Sequence, residues 1–176
     1  PGPRQTRQGG AATANILYVN LLDNVRGRVL KFDYEGGQWV SRTVDLPQNA
    51  TLGVAAASSK SDEVMFSVTD FLTPSTLYYS ADGNAPSVIK TSPARFDASG
   101  MAIEQYEATS ADGTKIPYFI VRPRGMALNA GTPTLLTGYG GFQVPRLPGY
   151  LGSTGKMWLE RGGAYAPTAM GMLESA

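Results

Sequence analysis

The chain has 176 residues, 42% of them hydrophobic, and 15 basic against 14 acidic side chains give a net charge of +1. So even a balance supplies no electrostatic footprint for nucleic acid or an anionic membrane surface, and no apolar run reaches the roughly 18 residues of a membrane-spanning helix. Cysteine and histidine are both absent, which excludes disulfides, thiolate zinc sites and a cysteine nucleophile and withholds the imidazole that a Ser-His-Asp mechanism requires.

The start, "PGPRQTRQGGAATA", residues 1–14, is polar and lacks the apolar stretch of a signal peptide. It predicts a disordered or loop segment. Residues 15–99 read as short strands between turns. "NILYVNLL" is an apolar run of strand length. "GRVLKFDY" keeps Val29, Phe32 and Tyr34 only partly on one face, which predicts a bulge. "EGG" turns the chain and "QWVSRTVDL" alternates, a hairpin signal. "TLGVAAAS", "EVMFSVTDF", "TPSTLYYSADGN" and "PSVIKTS" bring the total to about seven antiparallel strands, the pattern of a sandwich, barrel or propeller.

Near residue 100 the character changes. "MAIEQYEATSADGTKIPYFIVRP" predicts two strands around Asp112-Gly113, with Ile116, Tyr118 and Ile120 on one face and Phe119 and Val121 on the other. Glu104 and Glu107 then face opposite sides and form no paired-carboxylate site. "PTLLTGY" is a continuous apolar run of the kind buried on both faces in a parallel sheet. "GSTGKMWLERGG" predicts a short helix with Ser153 or Thr154 as N-cap and Gly162 as its stop. Met157 and Trp158 are expected to face the sheet, and Glu160 and Arg161 the solvent. "AYAPT" starts the next strand. Strand, helix, strand makes an α/β unit, so the expected fold class is β + α/β.

One stretch, "TPTLLTGYGGFQVP" at residues 132–145, carries the candidate site. Gly138, Gly140 and Gly141 follow the apolar strand, and in open α/β sheets ligands bind beyond the carboxyl ends of the strands. Glycines there let a ligand approach the main chain, or serve a tight turn needing positive φ. The spacing is not G-x-G-x-x-G, which argues against a dinucleotide. Tyr139 can donate to an oxyanion or cap the sheet. Phe142 can wall an apolar pocket or belong to the core. Nothing indicates a metal or an organic cofactor.

The segments "FDASGMAIEQYEATSADGTKIPYFIVRPRG", "PTLLTGYGGF" and "WLERGGAYA", together with "FSVTDFLTPSTLYY", resemble prolyl oligopeptidase in order and spacing, over roughly residues 60–166. The resemblance implies the last blades of a β-propeller at 15–99, then the N-terminal strands of an α/β-hydrolase domain at 100–176, truncated. It implies a serine endopeptidase acting on short peptides on the carboxyl side of proline. Tyr139 matches the tyrosine whose hydroxyl joins a backbone N–H as the oxyanion hole. Phe142 matches an aromatic of the pocket that receives the proline ring. The catalytic serine, acid and histidine would all lie beyond Ala176. The 176 residues alone are therefore expected to be inactive, their missing partner being the C-terminal part of the hydrolase domain.

Two positions depart from the family pattern. Thr137 stands where a tyrosine is common. After Ala166 an arginine, several glycines and a glutamate are usual, whereas "PTAMGMLESA" stands here, and Pro167 would remove a ladder donor from a central strand. The competing reading is a non-enzymatic β-rich binding module whose ligand ignores Tyr139. The sequence leaves the compartment open and leans toward a soluble, cytoplasmic protein.

Overall fold

The computed structural model describes residues 2, 4–129, 131–138 and 146–168. The chain divides into two compact units, Pro1–Asp70 with Pro74–Ser92, and Phe71–Thr73 with Pro93–Ala176.

The first unit is two four-stranded antiparallel meanders. One holds β1 (Gln5–Ala12), β2 (Ile16–Asp23), β3 (Arg26–Glu35) and β4 (Gln38–Thr43) in that spatial order. The other holds β5 (Thr51–Ala57), β6 (Glu63–Thr69), β7 (Thr76–Ala81) and β8 (Ser87–Thr91). The loop expected over residues 1–14 is thus mostly strand. Its polar, glycine-containing sequence hides no apolar alternation. It is ordered by a long ladder to the apolar β2, from Gln5↔Asp23 to Ala12↔Leu17, so tertiary pairing overrides composition. β3 runs in continuous register with both neighbours. The bulge expected in it is absent, because Val29 simply points to the opposite face from Phe32 and Tyr34.

Tight turns close the hairpins. Asn24 and Val25 (φ 48° and 61°) and Gly36 and Gly37 (φ 57° and 86°) adopt paired left-handed conformations, which match the twist of the flanking strands. Between the sheets lie Ile16, Tyr18 and Val29 from one side and Leu52, Val64, Phe66 and Val68 from the other. The Tyr18 and Phe66 rings meet edge to face with centroids 5.5 Å apart. Polar ties close the seam. Gly27 N–H donates to Ala50 O at 2.9 Å, Asn20 Nδ2 to Leu52 O at 2.8 Å and Lys31 Nζ to Gly83 O at 2.8 Å. Gly27 has to be glycine, since a Cβ there would lie 2.7 Å from Ala50 O.

The second unit is a mixed sheet in the order β11-β12-β10-β9. β9 (Met101–Thr109) and β10 (Lys115–Pro123) form the hairpin expected around Asp112-Gly113, with Asp112 Oδ1 accepting the Thr114 N–H at 2.9 Å. Phe119 and Val121 are buried on one face of β10, as the alternation predicts. β11 (Thr134–Thr137) leads through α1 (Gly152–Met157) and a 3-10 turn (Leu159–Arg161) to β12 (Ala164–Pro167), parallel to β11.

Helix details differ from expectation. Leu151 holds the N-cap position and no side chain caps the helix, so neither Ser153 nor Thr154 plays that part. Gly162 ends the 3-10 turn in the left-handed conformation at φ 85°, as expected. Met157 is 62% exposed rather than packed. Trp158 is half-buried and its Nε1 donates to Ala164 O at 2.7 Å. Glu160 does more than face solvent, for it accepts the Asp97 N–H at 2.9 Å and pairs with Lys156 at 2.8 Å.

Candidate functional site

The candidate site sits at the carboxyl ends of β11 and β12. Register places Thr134 opposite Ala164 and Thr137 opposite Pro167, so both parallel strands end side by side, the position where open α/β sheets bind ligands. Three groups fix the geometry. Thr168 N–H donates to Thr137 O at 2.8 Å. Thr137 Oγ1 donates to Tyr165 Oη at 2.9 Å. Tyr165 itself is buried against Phe71, edge to face with ring centroids 6.2 Å apart, and Phe71 packs on Phe119 at 5.3 Å. The strand ends therefore rest on a packed aromatic base.

Gly138 follows Thr137 directly. A Cβ on it would lie 2.6 Å from Thr168 Oγ1, so the Thr168 hydroxyl takes the space that a side chain at 138 would begin to fill. This close approach, not a positive φ, is what the position demands. Tyr139, Gly140, Gly141 and Phe142, the remaining candidate residues, lie outside the described residues.

Pro167 stays in the strand. Ala164 and Thr168 both donate to β11, to Pro133 O and Thr137 O at 2.9 and 2.8 Å, so by alternation the missing N–H of Pro167 faces β10. There the ladder has a gap: Val121 pairs with Tyr165, and pairing resumes only at Tyr118 with Thr168. The disturbance expected from the proline is confined to that side.

Periodicity did not reveal the Thr137–Tyr165–Thr168 cluster. Its members come together only because β12 inserts between β11 and β10. Among the described residues no group of three or more His, Cys, Asp or Glu side chains could hold a metal ion.

The two four-stranded antiparallel meanders of the first unit have the form of β-propeller blades. Residues 4–91 match the family model described as "Prolyl oligopeptidase, N-terminal beta-propeller domain", which is half of the chain, and the chain belongs to the prolyl oligopeptidase family. It is 43% identical over 168 residues to the uncharacterized peptidase y4nA of Sinorhizobium fredii, covering 94% of this chain and 23% of that protein. It is 28% identical over 165 residues to a prolyl endopeptidase of Elizabethkingia miricola, covering 93% and 22%. A solved structure described as a post-proline cleaving enzyme from Rickettsia typhi superposes with a TM-score of 0.77 at 29% identity, covering 96% of this chain and 25% of that one. The chain spans about a quarter of the length of the curated relatives it matches.

Proposed function

We propose that this chain supplies part of the propeller and the opening strands of the α/β-hydrolase domain of a serine endopeptidase that cleaves short peptides on the carboxyl side of proline. The observation that carries the reading is Gly138. It stands at the carboxyl end of a parallel strand, pressed against Thr168, one residue ahead of Tyr139. In open α/β sheets ligands bind beyond the carboxyl ends of the strands.

In this reading a serine oxygen attacks the carbonyl carbon of the proline residue itself, and the carbonyl π electrons move onto oxygen. The Tyr139 hydroxyl and a backbone N–H donate to that oxyanion, while Phe142 packs on the proline ring. Collapse of the intermediate expels the amine, and water then hydrolyses the acyl-enzyme. Each proton transfer needs a base near neutral pH, and with no histidine in the 176 residues that group comes from elsewhere in the peptidase. The exposure of β11 supports the same division. Leu135 and Leu136 point to opposite faces yet are 42% and 70% exposed, where the apolar run predicts burial on both sides, and parallel strands are ordinarily covered on both faces.

The test is Tyr139→Phe in a peptidase containing these residues, assayed on a chromogenic peptide with proline before the scissile bond. Loss of one oxyanion donor should lower kcat by about 10²- to 10³-fold with little change in KM. Unchanged kcat would remove Tyr139 from the mechanism. Equal turnover of a peptide with arginine in place of that proline would remove the specificity.

A further inference from the structure

A phenol from β12 holds the end of β11. Register pairs Leu135 with Tyr165, so Leu135, Thr137 and Tyr165 share one face of the sheet. The Tyr165 ring runs along that face toward the carboxyl end of β11, where its Oη accepts the Thr137 hydroxyl at 2.9 Å. Packing holds the ring there. Tyr165 is 9% exposed, and Phe71 meets it edge to face at 6.2 Å. Phe71 comes from the chain between β6 and β7 yet belongs to the second unit. Its own ring packs on Phe119, and its carbonyl accepts the Leu151 N–H at 3.0 Å. The phenol oxygen is thus a fixed point.

β11 has little else to fix its end. It is four residues long, it lies at an edge of the described sheet, and Leu135 and Leu136 are exposed. Among the described residues Thr168 holds the Thr137 carbonyl, through an N–H at 2.8 Å, and Tyr165 holds the Thr137 side chain. A β-branched side chain is stiff at χ1, so fixing that hydroxyl also restrains the Thr137 backbone. We propose that Tyr165 is a positioning residue, which by anchoring Thr137 sets how the chain leaves β11 and so where Tyr139, two residues on, is placed. This rests on the reading of Tyr139 as an oxyanion donor. Two residues of chain span at most about 7 Å, so an anchor at 137 leaves little slack at 139, and a misplacement of about 1 Å can slow a reaction about 10²-fold.

The experiment uses the full-length peptidase that contains these residues, assayed on the chromogenic proline peptide. Tyr165→Phe keeps the ring on Phe71 and deletes only the hydroxyl bond, so kcat should fall about tenfold with KM within about twofold. Thr137→Val deletes the same bond from its half-buried partner and should give the same fall, and it carries the test if the buried variant fails to fold. Thr137→Ser keeps a hydroxyl and should hold kcat within about threefold of the parent. Coupling separates positioning from general stability. In a Tyr139→Phe background, which has already lost the donor, Tyr165→Phe should lower kcat by less than about a further twofold. Losses that multiply, or unchanged kcat in Tyr165→Phe and Thr137→Val, would overturn the proposal while leaving Tyr139 in the mechanism. Unchanged kcat in Tyr139→Phe alone would remove the reading beneath it, and the proposal with it.

Discussion

Asp62 accepts three hydrogen bonds from the turn before β2: from Thr13 Oγ1 at 2.7 Å, Asn15 N at 2.8 Å and Asn15 Nδ2 at 2.7 Å. The Asn15 side chain above all, then Thr13 and the Asn15 backbone N–H, holds its carboxyl below the ordinary aspartate value. A depressed carboxyl favours the folded state above the ordinary pKa, about 3.9, and that contribution is lost as pH falls through the folded value. Acid titration of the melting temperature should therefore fall less steeply for Asp62→Asn than for the parent below about pH 4; superimposable profiles would contradict the assignment. Tyr18 behaves oppositely. Burial, then the charges of Asp33 and Asp62, pushes its phenol up to about 12, and its buried hydroxyl has no hydrogen-bond partner among the described residues. Tyr18→Phe should stabilise the chain by about 1 kcal/mol, since an unpartnered buried hydroxyl costs about 1–3 kcal/mol; a denaturant midpoint that drops would show the hydroxyl to be bonded. Neither residue was legible in sequence. Asp62 reads there as a turn residue and Tyr18 as a strand apolar, and only the docking of one sheet on the other gives each its role.

At the scale of elements, the legible features were those carried by local pattern: the seven strands after residue 15, the Asp112-Gly113 hairpin and the stop at Gly162. What escaped depended on neighbours. β1 has no alternation of its own, and Leu135 and Leu136 look like core until the sheet order places β11 at an edge of the described sheet. Leu136→Lys should change stability by less than about 0.5 kcal/mol, as exposed substitutions do, while reducing self-association measured by sedimentation, because exposed apolar sheet edges seed pairing with other chains. A large loss of stability would place Leu136 in a packed core instead. Pro167→Ala restores a donor toward β10 and should close the gap between Tyr165 and Thr168. Hydrogen exchange should then find the new amide protected; rapid exchange would mean that the gap has another cause.

The whole molecule shows why a sequence can be placed in a family while its chemistry stays divided. The sheet of β1 to β4 has one face against its neighbour and the other turned outward, where Leu17, Tyr34 and Trp39 remain 37%, 62% and 58% exposed. Repeats of this kind draw stability from neighbours on both sides, so the 176-residue chain alone should unfold over a broad temperature range and self-associate. The site divides in the same way. Gly138 and its strand-end setting could be read from residue spacing and then found in the fold, but the proton-transferring imidazole cannot be found in a sequence that contains none. Purified 176-residue chain, assayed with a chromogenic peptide carrying proline before the scissile bond, measures this most directly. The account predicts turnover no faster than in buffer alone, and cleavage by the chain that a serine-directed phosphonate abolishes would contradict it.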